Sequence, residues 1–117
     1  MKQPIIYGIP NCDMVKKTLR WFTKNKILFE FHDYKKLGIS KEKLTVWSKQ
    51  VGWEGLLNKK STTWRGLPEA VQKKITNQTA AIQLMIENTT IIKRPVVETE
   101  NNLLVGFTET AFIKHLK

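Results

Sequence analysis

Tyr7-Gly8-Ile9-Pro10-Asn11-Cys12-Asp13-Met14-Val15-Lys16-Lys17 is the stretch on which the fold turns. Upstream, Pro4 to Ile9 reads as a short buried strand, rich in β-branched and aromatic residues and closed by Gly8 and Pro10. Downstream of Asn11-Cys12 the period changes. Val15, Leu19 and Phe22 fall at i, i+4 and i+7, with Lys16, Lys17, Arg20 and Lys24 on other faces, which predicts an amphipathic helix of about three turns. Ile27 to Asp33 alternates as a second strand. A helix joining two strands is a βαβ unit, so the strands are expected to be parallel and the crossover right-handed.

Beyond this unit the middle of the chain reads as helical. Ser40 can cap a helix whose apolar face is Leu44, Trp47 and Val51 and which ends at Gly52. Leu56-Leu57 is a short apolar patch before a polar loop, Asn58 to Arg65. Pro68 suits the first turn of a helix carrying Val71 and Ile75, and Asn77 or Thr79 starts another with Ala81, Leu84 and Met85 inward. Strands then return. Pro95 to Glu98 and Leu103 to Val105 flank Glu100-Asn101-Asn102 and read as a hairpin. Thr108 is placed to cap a last helix with Phe112 and Leu116 one turn apart. The order β-α-β, helices, β-β-α predicts an α/β fold: a small mixed sheet of thioredoxin-like type, with a helical insertion at about 38–91 inside a single domain spanning 1–117.

Composition sets bounds on this picture. The 117 residues suit one ordinary domain, and 41% apolar residues are enough for a packed interior. The first ten residues lack the unbroken apolar run of an export signal, and Ala80 to Ile86 is too short to span a bilayer, so a cytoplasmic, soluble chain without membrane contact is expected. Twenty Lys and Arg against ten Asp and Glu give a net charge of +10. The basic residues come in scattered pairs such as Lys35-Lys36 and Lys59-Lys60, which read as a solvated surface and not as a nucleic-acid face. The chain has one cysteine and two histidines, His32 and His115, distant in sequence. An internal disulfide is thereby excluded, no familiar zinc spacing exists, and no metal or bound cofactor is expected.

Cys12 lies between the end of a strand and the first turn of a helix. The first helical amides have no intrahelical acceptor, and with the helix dipole they favour negative charge. A thiolate is stabilised there and becomes a competent nucleophile. The alternative, an inert buried cysteine, fits the strand-to-helix turn less well. A dithiol oxidoreductase would carry a second cysteine at position 15, where this chain has Val15. Cys12 therefore cannot resolve its own mixed disulfide within the chain, and any cycle needs an external thiol such as glutathione or a glutaredoxin.

The whole chain resembles the arsenate reductase (ArsC)/Spx family, and most closely its short YffB-like branch. The resemblance is carried by Tyr-Gly-Ile-Pro-Asn-Cys-Asp at 7–13, Leu-Asn-Lys-Lys-Ser-Thr-Thr-Trp-Arg at 57–65 and Lys-Arg-Pro-Val-Val at 93–97. It implies the same thioredoxin-like fold with a helical insertion. It also implies that Cys12 is the nucleophile, that Arg94 holds an oxyanion, and that Pro95 is the proline, usually cis, that lies against the active thiol. Two family arginines are missing: Asn58 stands where one is expected, with Lys59, Lys60 and Arg65 nearby, and Val105-Gly106-Phe107 replaces the other. Such a site is less suited to arsenate than to the carboxylates of glutathione, since guanidinium and ammonium groups bind both kinds of anion.

The resulting expectation is a monomeric, glutathione-dependent thiol reductase. Cys12 is its nucleophile, Asn11 shapes the loop, and Arg94, Pro95, Lys60 and Arg65 meet glutathione or a small anionic substrate. The alternative from the same resemblance is an Spx-like regulator that binds RNA polymerase without turnover, although the redox-sensing Spx proteins use a cysteine pair that Val15 removes. His32 and the exposed-looking His115 are read as non-catalytic, and Trp21, Trp47, Trp53 and Trp64 as core or cover residues, with Trp64 in a loop.

Overall fold

The computed structural model describes residues 3–117. Met1 and Lys2, on which part of the leader reading falls, lie outside the described residues. In chain order the elements are β1 (Ile5–Gly8), α1 (Asp13–Lys24), β2 (Glu30–Asp33), α2 (Tyr34–Leu37), α3 (Lys41–Val51), α4 (Trp53–Leu56), α5 (Thr62–Arg65), α6 (Glu69–Lys73) and α7 (Gln78–Glu87). A 3-10 turn at Thr89–Ile91 follows, then β3 (Val96–Glu98), β4 (Leu103–Val105) and α8 (Glu109–Leu116). The chain forms two compact units, the residues through Leu37 with Arg94–Lys117, and Gly38–Lys93.

In the first unit the described strands form a four-stranded sheet in the order β2-β1-β3-β4. β1 and β2 are parallel, as a strand-helix-strand connection requires, while β3 is antiparallel to both β1 and β4. The register pairs Ile6 with Phe31 and Val97, so these three share one face of the sheet with Leu104. That face is apolar and is covered by Trp21 and Phe22 of α1 and Phe112 of α8. The buried positions of α1, Val15, Thr18, Trp21 and Phe22, recur at helical spacing, and its lysines point away from the core. Phe22 is completely buried, with the rings of Trp21, Phe29 and Phe112 at 5.4–5.6 Å.

β2 is shorter than the alternation of Ile27–Asp33 predicts. β1 offers only Ile5–Gly8 as a parallel partner, and Glu30–Asp33 uses all four of these positions. Ile27 and Phe29 still serve the core, packing against it as partly buried side chains. Thr108 occupies the position before α8, but its side chain makes no capping hydrogen bond.

The second unit is helical. Ser40 accepts from the Lys43 amide, and Gly52 ends α3 with a positive φ of 81° that a side chain rarely adopts. Asn77 caps α7 by accepting from the Ala80 amide. Leu44 and Trp47 of α3, Leu56 of α4, and Ala81, Ile82, Leu84 and Met85 of α7 are buried. The polar stretch Asn58–Arg65 is not all loop. Ser61 accepts from the Trp64 amide and starts the single turn α5, which places Trp64 in a helix with its ring buried. Pro68 lies just before α6 and not inside its first turn, and that helix buries nothing, Val71 being exposed.

One close approach fixes how β1 meets α1. A Cβ on Gly8 would stand 2.5 Å from Cγ2 of Val15. Val15 is β-branched, so in a helix it has few rotamers with which to yield. Gly8→Ala is therefore expected to cost about 1–3 kcal/mol, as overpacking does. Urea denaturation checks this, with Val15→Ala in the same chain recovering much of the loss; additive losses would contradict the contact.

Candidate active site

The turn from β1 into α1 carries Asn11, which is exposed, and Cys12, which is half-buried. The Cys12 amide donates to the Ile9 carbonyl at 3.2 Å, closing the turn, and the Cys12 carbonyl accepts from the Lys16 amide at 2.9 Å, starting the helix. Cys12 is thus the N-cap residue, with extended backbone angles (φ −89°, ψ 128°), and its side chain makes no capping hydrogen bond. The amides of Asp13, Met14 and Val15 begin the helix without intrahelical acceptors, so the thiol stands at the positive end of a twelve-residue helix. Asp13 adds an acidic group to the first turn. The Lys17 ammonium lies over the Phe107 ring, 4.5 Å from the centroid, as a cation–π contact.

Arg94 and Pro95 lead into β3, and the peptide bond between them is cis. Tyr7, next to the last residue of β1, pairs with Val96, the first residue of β3. The end of β1 that feeds the Cys12 turn and the start of β3 that follows Arg94 therefore lie side by side at one end of the sheet. Pro95 is buried and its carbonyl accepts from the Gly106 amide at 2.7 Å, which ties it to the end of β4; Arg94 is half-buried. In the first unit, Asn11 and Cys12 follow β1 and Arg94 and Pro95 precede β3 at the same end of the sheet.

Lys60 and Arg65 belong to the second unit. Lys60 is exposed in the loop before α5, where its amide donates to the Asn58 Oδ1 at 3.1 Å. Arg65 is the exposed last residue of α5. His115 is exposed on α8. Among the described residues, no group of three or more His, Cys, Asp or Glu is placed to hold a metal ion, and no helix is long and apolar enough to cross a membrane.

The opposite face of the sheet holds a cluster that sequence spacing does not show. The Tyr7 hydroxyl donates to Glu98 Oε1 at 3.0 Å, and the Tyr7 ring lies 4.7 Å from His32 and 6.2 Å from Tyr34. Tyr34, next to Asp33 at the end of β2, is 2% exposed. Burial, then the negative charge of Glu98, pushes the Tyr7 hydroxyl well above its ordinary 10.0. Burial likewise raises Tyr34, followed by the influence of Tyr7, while the positive charge of Arg94 works in the other direction.

A phenol whose folded pKa exceeds its unfolded value ionises first in the unfolded chain. Its contribution to stability is whole below the unfolded value near 10 and is lost as pH rises beyond it. Stability measured by denaturant titration is expected to fall as pH rises above about 10, and less steeply in Tyr34→Phe; an unchanged slope in that variant would contradict the account.

The family model of the ArsC family matches residues 7–114. A protein of Haemophilus influenzae described only as uncharacterized is 42% identical over 107 residues, covering 92% of this chain and 93% of its own. A solved structure of the YFFB (PA3664) protein is 41% identical, with a TM-score of 0.93 over 98% of this chain and 100% of that one. The solution structure of an arsenate reductase (ArsC) related protein from Brucella melitensis is 40% identical, with a TM-score of 0.77 over 99% and 96% of the two chains.

Proposed function

We propose that this chain, which belongs to the ArsC family and is arsenate reductase-like, is a glutathione-dependent thiol reductase with Cys12 as its single nucleophile. The observation that carries the reading is the position of Cys12 at the N-cap of α1, with its side chain in no capping bond and the first helical amides beside it. Developing negative charge on sulfur is favoured there in the free enzyme and again when the sulfur leaves a disulfide.

The cycle takes two steps. The Cys12 thiolate attacks the glutathionyl sulfur of a mixed disulfide R–S–S–G; the new S–S bond joins Cys12 to glutathione, and R–S⁻ departs and takes a proton. A second glutathione thiolate then attacks the glutathionyl sulfur on Cys12, forming oxidised glutathione and returning Cys12 as thiolate. Each turnover consumes one reduced glutathione and converts R–S–S–G to R–SH and oxidised glutathione, whose other half comes from the substrate; a glutaredoxin is an alternative donor for the second step. Arg94 is assigned to a carboxylate of glutathione or to a small anionic substrate, with Asn11 and Pro95 shaping the loop. Asn58 and the stretch Val105-Gly106-Phe107 stand where arsenate reductases carry arginine, which favours a carboxylate-bearing partner over arsenate.

The test is a coupled assay in which oxidised glutathione is recycled by glutathione reductase, with a small glutathione mixed disulfide and with arsenate as separate substrates. Turnover of the mixed disulfide above the uncatalysed rate, with little or none of arsenate, is the expected result. Turnover of neither substrate would overturn the reading.

A further inference from the structure

We propose that the exposed basic row of α1 is a docking surface for an acidic polypeptide, and that the mixed disulfides reduced at Cys12 are those of acidic proteins. The second clause rests on the reductase reading; the docking surface rests on the row itself. The row starts at the thiol. Cys12, Lys16, Arg20 and Lys24 follow one another at four-residue intervals, and the Lys16 amide donates to the Cys12 carbonyl at 2.9 Å, which sets Lys16 one turn on from Cys12. At 1.5 Å per residue the row runs about 18 Å from Cys12 to Lys24. Lys16, Arg20 and Lys24 are all exposed, on the side of the helix opposite Val15, Thr18, Trp21 and Phe22, which are buried.

The charge pattern differs from that of a self-sufficient solvated face. Such faces set opposite charges four residues apart, as Glu69 and Lys73 do in α6 at 3.2 Å. In α1 the spacings Lys16–Arg20 and Arg20–Lys24 both set like charges together, which destabilises a helix. Lys24 is favoured where it stands, in the last turn, whereas Lys16 lies near the positive end of the helix dipole. Among the described residues none of the three is in an ion pair. α1 holds four cations, these three and Lys17, against one acid, Asp13. A partner that supplies carboxylates relieves a repulsion that nothing within the helix relieves.

Spacing selects a polypeptide. The cations recur about every 6 Å along the helix, and alternate residues of an extended chain recur about every 7 Å, so acids at every second position over about six residues match the row. A polypeptide also brings what a nucleic acid lacks, a cysteine that carries a glutathionyl group to the head of the row. The chemistry is the exchange already described: Cys12 takes the glutathionyl group, and the partner's cysteine departs as thiolate and takes a proton. The row steers the encounter and holds the partner in register with the thiol.

The experiment compares short synthetic peptides in the coupled assay, each with one central glutathionylated cysteine and with Glu, Ser or Lys at alternate positions on both sides. At low ionic strength kcat/KM for the Glu peptide is expected to exceed that for the Ser peptide about tenfold, an advantage lost near 1 M salt, where the Debye length is about 3 Å. Arg20→Glu/Lys24→Glu is expected to abolish the preference and to leave the small mixed disulfide at the parent rate. Lys41→Glu/Lys49→Glu, the same change of charge on exposed positions of α3, is expected to keep it. The same peptides with serine in place of the cysteine, titrated into the nitrogen-15-labelled chain, read docking without catalysis. Saturable amide shifts over Cys12–Lys24 are expected for the Glu peptide alone. A chain that turns over no disulfide yet gives those shifts loses the reductase reading and keeps the docking surface. Equal rates for the Glu and Ser peptides, shifts spread over lysines across the whole surface, an equal loss in the α3 variant, or tighter binding of a short oligothymidylate than of the Glu peptide along α1 would overturn the proposal.

Discussion

Cys12→Ala is expected to bring mixed-disulfide turnover down to the uncatalysed rate, a loss on the order of a thousandfold or more, as when the nucleophile of a covalent mechanism is deleted. The loss follows from the count of thiols: the chain has one cysteine, so no other sulfur can form or carry the mixed disulfide. Removal of Cys12 is not expected to disturb the fold. Its side chain makes no capping hydrogen bond, is only half-buried and belongs to no part of the apolar core, so far-ultraviolet dichroism and the denaturant midpoint should match the parent chain. Arg94→Gln makes an instructive partner. If the guanidinium holds a carboxylate of the thiol substrate, KM for glutathione rises while the ability of Cys12 to be alkylated is kept. A folded Cys12→Ala chain that still turned over the disulfide at the parent rate would end the nucleophile assignment.

The second large effect concerns stability. Phe22→Ala is expected to cost about 3–5 kcal/mol, the transfer of the ring plus the cavity it leaves. Phe22 is wholly buried between the sheet and α8, and its three ring neighbours, Trp21, Phe29 and Phe112, are large aromatics that cannot collapse into the gap without leaving their own contacts. Domains of this size have about 5–15 kcal/mol in hand, so the variant sits near the limit of folding at physiological temperature. Leu28→Ala, at a side chain 73% exposed, is the control and should change stability by about 0.5 kcal/mol or less. Urea midpoints at unchanged m-value measure both. A Phe22→Ala chain within about 1 kcal/mol of the parent would show that the aromatic core is far looser than its ring distances indicate.

The parts of the fold that sequence makes legible are those with a period long enough to read. α1 shows its apolar stripe over three turns, and Ser40, Gly52 and Asn77 mark helix ends through side-chain and backbone chemistry that acts locally. The four-residue helices α4 and α5 are too short to display any period, and Ser61 is an N-cap hidden among other polar residues. Thr108 shows the converse: a residue type suited to capping occupies the right position, yet its hydroxyl makes no such bond. β2 illustrates a non-local limit, because the alternation of Ile27–Asp33 says nothing of how many partners β1 can offer.

The candidate site divides in the same way. The location of Cys12 at a strand-to-helix junction follows from the change of period around it. The importance of Arg94 and Pro95 comes from family resemblance alone, since nothing local distinguishes an arginine before a proline from any other. The Tyr7–Glu98 hydrogen bond has no sequence signal at all. It depends on which distant strands pair, and pairing is decided by the assembled core.

The most direct test of the thiol account is the intact mass of the chain after exposure to oxidised glutathione, followed by addition of reduced glutathione. The account predicts a gain of one glutathionyl group, mapped by peptide digestion to Cys12, and its complete removal by the reduced thiol. A chain that gains nothing while unfolded controls become fully modified would contradict it, because the one cysteine would then be closed to the exchange on which the proposed cycle depends.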